Sequence, residues 1–594
     1  MIKMPVVHRL LGNGCLRIWV ILLFMSMTLF IPVSLFAQKD TVYVQDYFQS
    51  QKEGTLNSAI ETALHAGTLS NTVFMLSPYG LYILNETIAT PAGETLEIIA
   101  PKPGVTQETA PPMIAWTSSD VPYKRHNFNI AGEVKMKNVW LFYASMDSAR
   151  QQLSFRVGDS AAVQGGRCEF ENVIFDYSAT PQTASGAVEI YARRFQGSFK
   201  NCYFRNCADD HFRYYGRALS FPFMSQDLHA DSVVFENCTF ANIGYVYMQE
   251  GGEYSDFVKV NHCTFLNVAM FTLQSGWWRT MSVTNSIFVN TYMYGRFLWE
   301  GDFSGTITVV PVESFEFAVP FTDQDRRILF ANNSYFIEPW LSNWMATSPH
   351  AQELISQNRI EDVPVPQPML NPTTQALFDS VAFPFMNSAN LFDSTYPGFI
   401  NPPTDTTLLK NWLYHKWNDG ADAPWAWKPE NSFQRLWPLK ENLAYTNDTL
   451  LTAGMGGFPL GDLYHWFPER YVEWDAQRGN ENTRIAHWRD IGYDSIFTAI
   501  GEVQIQPTQF GLSQNYPNPF NPTTKIDYSL ADKGRVSLKV FDLLGREIIT
   551  LVEGTRPAGE HTVTFEAGEL ASGIYIYQLR SGQFVESKKF LIIK

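Results

Sequence analysis

Charge is scarce in this chain. Asp, Glu, Lys and Arg make up 17% of the 594 residues, and the acidic side leads, 59 against 44. The resulting net charge of −15 lacks the basic footprint that nucleic-acid binding requires, so no nucleic-acid partner is expected. Cysteine is scarce too. Six in the whole sequence are too few for a chain of this length to be held by a disulfide framework. Beyond residue 37 no apolar run reaches transmembrane length. Aromatic residues, by contrast, are plentiful at 15%, and together with Leu, Ile and Val they supply a large core and exclude global disorder.

The one long apolar run opens the chain. Lys3, Arg9 and Arg17 precede or flank Ile18–Phe36, and Ser34-Leu35-Phe36-Ala37 offers a cleavage site before Gln38. Residues 1–37 read as a signal peptide, and an uncleaved anchor is the alternative for so long a run. Pro32 and Ala37 favour cleavage. Cys15 precedes the run, the wrong place for a lipid-modified cysteine. Five cysteines then remain, an odd number in an oxidising compartment.

The middle of the chain repeats. Phe170-Glu-Asn-Val-Ile-Phe175, Phe199-Lys-Asn-Cys-Tyr-Phe204, Phe235-Glu-Asn-Cys-Thr-Phe240, Val260-Asn-His-Cys-Thr-Phe265, Val283-Thr-Asn-Ser-Ile-Phe288 and Ala331-Asn-Asn-Ser-Tyr-Phe336 share one pattern, with Met136–Leu141 a weaker copy. The third positions fall at 138, 172, 201, 237, 262, 285 and 333. A solenoid coil takes about two dozen residues, and longer steps place loops at the turns. Within each copy the small residue and the Phe stand two apart, which points both inward on a strand and leaves the residue between them, such as Thr239, outward. Asn tolerates the left-handed backbone of a sharp bend. A second Asn follows at 206, 242, 267 and 290. Cys202, Cys238 and Cys263 share one register, which suits an inward stack of buried thiols. A disulfide between neighbouring coils is the geometric alternative. A zinc site fits less well, because ligands along one ladder do not converge.

Upstream, Gly54–Gly67 predicts a short amphipathic helix with Leu56, Ile60 and Leu64 on one face. A capping helix, a Gly80–Leu84 strand and then the coils resemble the pectin-lyase-like superfamily over about Thr41–Phe336. The resemblance implies a right-handed parallel β-helix over residues 38–337 and leaves activity open, since that fold hosts lyases, hydrolases, adhesins and stalks. Residues 338–505 break the repeat and hold ten of the sixteen tryptophans. They read as an aromatic-rich loop and helix extension packed on the solenoid, with a helix over Pro468–Arg478. Sugar stacking is the other use for such tryptophans.

Residues 506–594 alternate into six strands with Gly-rich turns, as in a small antiparallel β-sandwich. Asn515-Tyr-Pro-Asn-Pro-Phe, Val540-Phe-Asp-Leu-Leu-Gly-Arg546, Leu570-Ala-Ser-Gly-Ile-Tyr575 and Lys588–Lys594 closely resemble type IX secretion sorting domains of Bacteroidetes and their relatives. The resemblance implies export through the periplasm, recognition by an outer-membrane translocon, and a secreted or outer-membrane surface location. The fold class expected for the whole chain is therefore all-β.

In lyases that this solenoid resembles, the active site lies on the outer face of one sheet. Alternation after the second Asn places Glu189, Tyr191 and Arg193 outward, then His211, Arg213 and Tyr215, then Tyr245 and Tyr247. Trp277 and Trp278 follow at a turn, and Arg296 comes near the next strand. Tyrosine and tryptophan faces stack on sugar rings, and arginine forks pair with uronate carboxylates. The ligand-binding set is accordingly Tyr191, Arg193, Arg213, Tyr215, Tyr245, Tyr247, Trp277 and Trp278. For catalysis only Asp210, His211 and Arg213, with Asp209, form a compact cluster. The Gly-His-Gly and Arg-x-Lys elements of polygalacturonases and the Asp-rich calcium cluster of pectate lyases are absent. The expectation is a monomeric, non-catalytic glycan- or matrix-binding protein without a cofactor or resident metal. The alternative is a polyuronate lyase or hydrolase, with calcium only if it is a lyase.

Overall fold

The computed structural model describes residues 39–117, 126–145, 154–158, 165–178, 186–208, 216–221, 228–248, 254–274, 277–296, 305–314, 318–378, 380–423, 434–494, 510–515, 517–530, 534–543, 545–556, 559–568, 570–582 and 584–593. The signal-peptide reading of residues 1–37 lies outside them. Two compact units divide the chain, residues 1–493 and 494–594.

The first unit is a parallel β-helix. A 19-stranded sheet contributes two strands per coil and a seven-stranded sheet a third, and the ladders that join successive coils are parallel. Each bend has a residue-level cause. Asn138, Asn172, Asn201, Asn237, His262 and Asn285 have φ between 50° and 62°, the left-handed region, and Asn206, Asn242, Asn267 and Asn290 repeat this at the second corner. Their amides hydrogen-bond along the axis: Asn172 donates to Asn138 at 2.8 Å, Asn267 to Asn242 at 3.1 Å and Asn290 to Asn267 at 3.0 Å. At the last repeat the sequence alignment is off by one. The bend falls at Asn332 (φ 57°), and Tyr335 takes the Phe position by pairing with Phe288. The ladder also runs one coil beyond the repeat, through Met386–Asp393, with its own bend at Asn390.

Inside, Phe175, Phe204, Phe240, Phe265 and Phe288 form one continuous stack, with neighbouring centroids 4.3–5.0 Å apart. Cys168, Cys202, Cys207, Cys238 and Cys263 are all buried and unbridged. The inward stack holds; the disulfide alternative does not. Helix Thr55–His65 covers one end of the core with Leu56, Ile60 and Ala63.

The extension clothes the solenoid. Its helix Thr406–Asn418 contributes Trp412, Leu413 and Trp417 to a second apolar cluster that runs along the strand tier following the first corner and also holds Leu81, Ile174, Tyr203 and Leu266, and the Trp417 indole donates to the Tyr294 carbonyl at 2.8 Å. Helix Pro468–Ile491, far longer than the sequence suggested, lays Ile485 and Trp488 on Leu329 and Ala331. Trp412 and Trp474 are fully buried, so both act in packing. Thr239 does point away from the core, yet it is covered: its hydroxyl donates to Asp462 at 2.7 Å and accepts from the Trp466 indole at 2.8 Å.

The second unit is an antiparallel sandwich. A three-stranded sheet (Gly511–Leu512, Thr523–Leu530, Gly559–Glu566) faces a four-stranded one (Gly534–Phe541, Glu547–Arg556, Gly573–Ser581, Phe584–Ile592) across a core of its own.

Candidate functional site: the outer face of the short-stranded sheet

The seven-stranded sheet carries the side chains with chemistry. Its register sets two rows. Ile88, Phe128, Phe155, Val188, Leu219, Tyr247 and Leu273 line up inward. Ala89, Asn129, Arg156, Glu189 and Ser220 line up between them, on the alternate face. Parallel coils repeat about every 4.8 Å, so Asn129, Arg156 and Glu189 are immediate neighbours on three successive coils.

A polar cluster gathers there. The Arg156 guanidinium lies over the Tyr191 ring, 3.9 Å from its centroid. The His126 ring stands edge-on to Tyr191 at 6.5 Å, and its Nδ1 is 3.8 Å from the Glu189 carboxylate. Arg193 follows Tyr191 by two residues. Among the described residues, no carboxylate lies within ion-pair distance of Arg156 or Arg193, and the Nε atom of each is buried without an acceptor. A guanidinium held over an aromatic ring suits a planar anion, which a guanidinium fork binds through paired hydrogen bonds.

The expected ligand-binding residues scatter. Tyr191 joins this cluster, and Arg193 stands two residues further along the chain, half-buried. Tyr245 is buried at the corner, with the Arg217 guanidinium 5.1 Å from its ring and Phe271 stacked at 5.5 Å. Tyr247, expected outward, lies inward with no exposed surface and shares a 2.6 Å hydrogen bond with Ser255. Tyr245 and Tyr247 stand on one parity, but the bend at Gly244 turns Tyr245 out of the inward row. Trp278 is likewise buried in the solenoid core, on a strand of the larger sheet, so only Trp277 of the pair has any exposure. Asp209, Asp210, His211, Arg213 and Tyr215 lie outside the described residues.

His126 and Arg156 were missed because their coils precede the clear copies of the repeat. The alternation in Asn127-Phe-Asn-Ile130 and Phe155-Arg-Val157 was the available signal.

Among the described residues, one set of side chains has metal-ligand spacing. His229, Asp231 and Asp256 present a nitrogen and two oxygens within 4.8 Å of one another. Both carboxylates already have cationic partners, Arg194 at 3.3 Å from Asp231 and Arg279 at 3.6 Å from Asp256, so the group reads as a charge ladder along the coils.

In the second unit, Asn515 is buried. Its amide nitrogen donates to Thr524 Oγ1 at 3.0 Å, and its backbone N–H donates to Tyr577 Oη at 2.9 Å. Asn518 accepts from the Leu591 N–H at 2.9 Å, and Phe520 packs on Phe565 and Phe590. Asn518 and Phe520 are thereby bound to the last strand. Residues 514–594 match the family model described as a secretion system C-terminal sorting domain. No curated protein matches the chain. With that match at its C-terminus, the chain is a parallel β-helix protein carrying a type IX sorting domain, which directs it through that secretion machinery to the exterior or the outer-membrane surface.

Proposed function

We propose that the exported solenoid binds an acidic polysaccharide along the outer face of its seven-stranded sheet. The observation that carries this is Arg156 stacked on Tyr191, with no protein carboxylate in ion-pair reach of that guanidinium among the described residues. A glycan lying along the axis meets one coil about every 4.8 Å, close to one sugar unit, so Asn129 and Arg156, on neighbouring coils, address successive sugars, while Glu189 on the next coil is buried beneath the face. The test is retention of the full-length protein on immobilised polygalacturonate and alginate. Arg156→Ala is expected to weaken retention about tenfold, more at low salt, where charge pairing is least screened. Retention equal to wild type would remove the site.

His126 beside Glu189 and Tyr191 favours a second reading, a polyuronate lyase. β-Elimination needs a base near the C5 proton and a cation at the uronate, and both residue types stand here. Calcium belongs only to this reading. Appearance of unsaturated products, followed by ultraviolet absorbance and abolished in His126→Ala, would establish it.

A further inference from the structure

A cavity of about 400 Å³ opens near the C-terminal end of the solenoid, lined by Arg296, Tyr335, Phe336, Pro366, Pro368 and Asp393 among others. Its volume falls in the range of small-molecule sites, about 300–1,000 Å³. Arg296 is fixed in place by its backbone, which exchanges two 3.0 Å hydrogen bonds with Val365. The opposite wall is equally fixed, because the Tyr335 hydroxyl donates to the Gln367 carbonyl. Among the described residues the Arg296 guanidinium has no carboxylate in ion-pair reach, and its Nε is buried without an acceptor. A buried donor left in that condition costs free energy that an anionic ligand would recover.

We infer that this cavity is a binding site for a single uronic acid unit, separate from the face that carries Arg156. The three parts of the cavity match the three parts of such a sugar. The Arg296 fork meets the carboxylate. The Phe336 ring and the two prolines offer apolar walls to the C–H faces of the pyranose. Asp393 and Ser394, both exposed at the cavity, accept and donate to hydroxyl groups. A neutral sugar leaves the guanidinium unmet, and a simple carboxylate leaves the walls unmet.

The experiment is calorimetric titration of the full-length protein with galacturonate and glucuronate, beside galactose and acetate. At least one uronate is expected to bind about tenfold more tightly than either control. Arg296→Gln is expected to lose about tenfold in that affinity while keeping its melting temperature, and Arg296→Lys, which retains charge without the fork, to fall between. If the Gln variant does not fold, Phe336→Leu carries the test, with an expected severalfold loss. In the Arg156→Ala background the Arg296-dependent part of uronate binding, the part lost in Arg296→Gln, should persist, so loss of polymer retention at Arg156 and loss of uronate binding at Arg296 are separately scored. Absence of saturable uronate binding, acetate binding as tightly as the uronates, or an Arg296→Gln variant that binds like wild type would each overturn the inference.

Discussion

Phe240 sits between Phe204 and Phe265, with ring centroids 5.0 Å away on either side and no exposed surface. Truncation to Ala leaves a cavity that neighbouring coils cannot close without breaking the stack, so Phe240→Ala is expected to cost about 3–5 kcal/mol. Its neighbour Thr239 tells the opposite story about exposure. Alternation correctly turns it away from the core, and on that basis its substitution would be silent. In the folded chain it holds the Asp462 carboxylate and the Trp466 indole. Thr239→Ala leaves a buried carboxylate short of a donor and is expected to cost about 1–3 kcal/mol. Denaturant midpoints of the two variants check both figures, and a silent Thr239→Ala would mean that the Asp462 contact contributes nothing.

At the scale of elements, the bends and the outer helix follow different rules. Asn237 combines a φ of 52° with an acceptor bond from the Leu463 N–H at 3.1 Å, joining corner to extension. Asn237→Val puts a β-branched residue in the left-handed region and drops that bond, an expected loss of about 2–3 kcal/mol. Asn237→Gly keeps the bend and should lose only about 1 kcal/mol. Helix Pro468–Ile491 is docked by polar chemistry: Glu481 accepts from Asn261 at 2.7 Å and from Trp474 at 3.0 Å, and lies 3.3 Å from His262. Burial pushes the Glu481 carboxyl up, but the His262 ring and the hydrogen bonds from Asn261 and Trp474 outweigh it and hold the pKa below the ordinary glutamate value. A carboxyl depressed by folding stabilises above its unfolded value of about 4.3 and loses that contribution as pH falls through the folded value. Hydrogen exchange in the helix should therefore accelerate on acidification below about pH 4, and Glu481→Gln should flatten the response. An unaltered pH profile in that variant would exonerate the carboxylate.

These elements also show why legibility differed along the chain. Solenoid strands could be read because Asn, a small residue and Phe recur at fixed offsets, each doing the same physical job in every coil. Where Asn332 and Asn333 stand side by side, two residues qualify for one bend, and the alignment slipped. The outward rows were harder. Whether an outward residue meets solvent depends on which distant segment covers it, and neither Asp462 nor Trp466 announces that it will lie on Thr239. Tyr247 was misplaced because a bend one residue before Tyr245 interrupts the parity count.

For the whole molecule, the separate cores of the solenoid and the sandwich set the expectation. Deleting residues 514–594 removes the sorting domain without touching the core around Phe240. The truncated protein should accumulate in the periplasm with an unchanged β-sheet circular dichroism band for the solenoid. Its appearance outside the cell in normal amounts would show that the domain is dispensable for export.

The five enclosed thiols give the solenoid an internal clock. They stand at residues 168, 202, 207, 238 and 263, distributed over successive coils, and each is sealed from solvent. An alkylating reagent can reach one only while its own coil is open, so the labelling rate at each position reports the opening free energy of that stretch alone. Because each coil touches chiefly its neighbours, opening need not be all-or-none. Equal rates at all five would mean that the rod opens as one body, whereas a gradient from one end would reveal where unravelling begins.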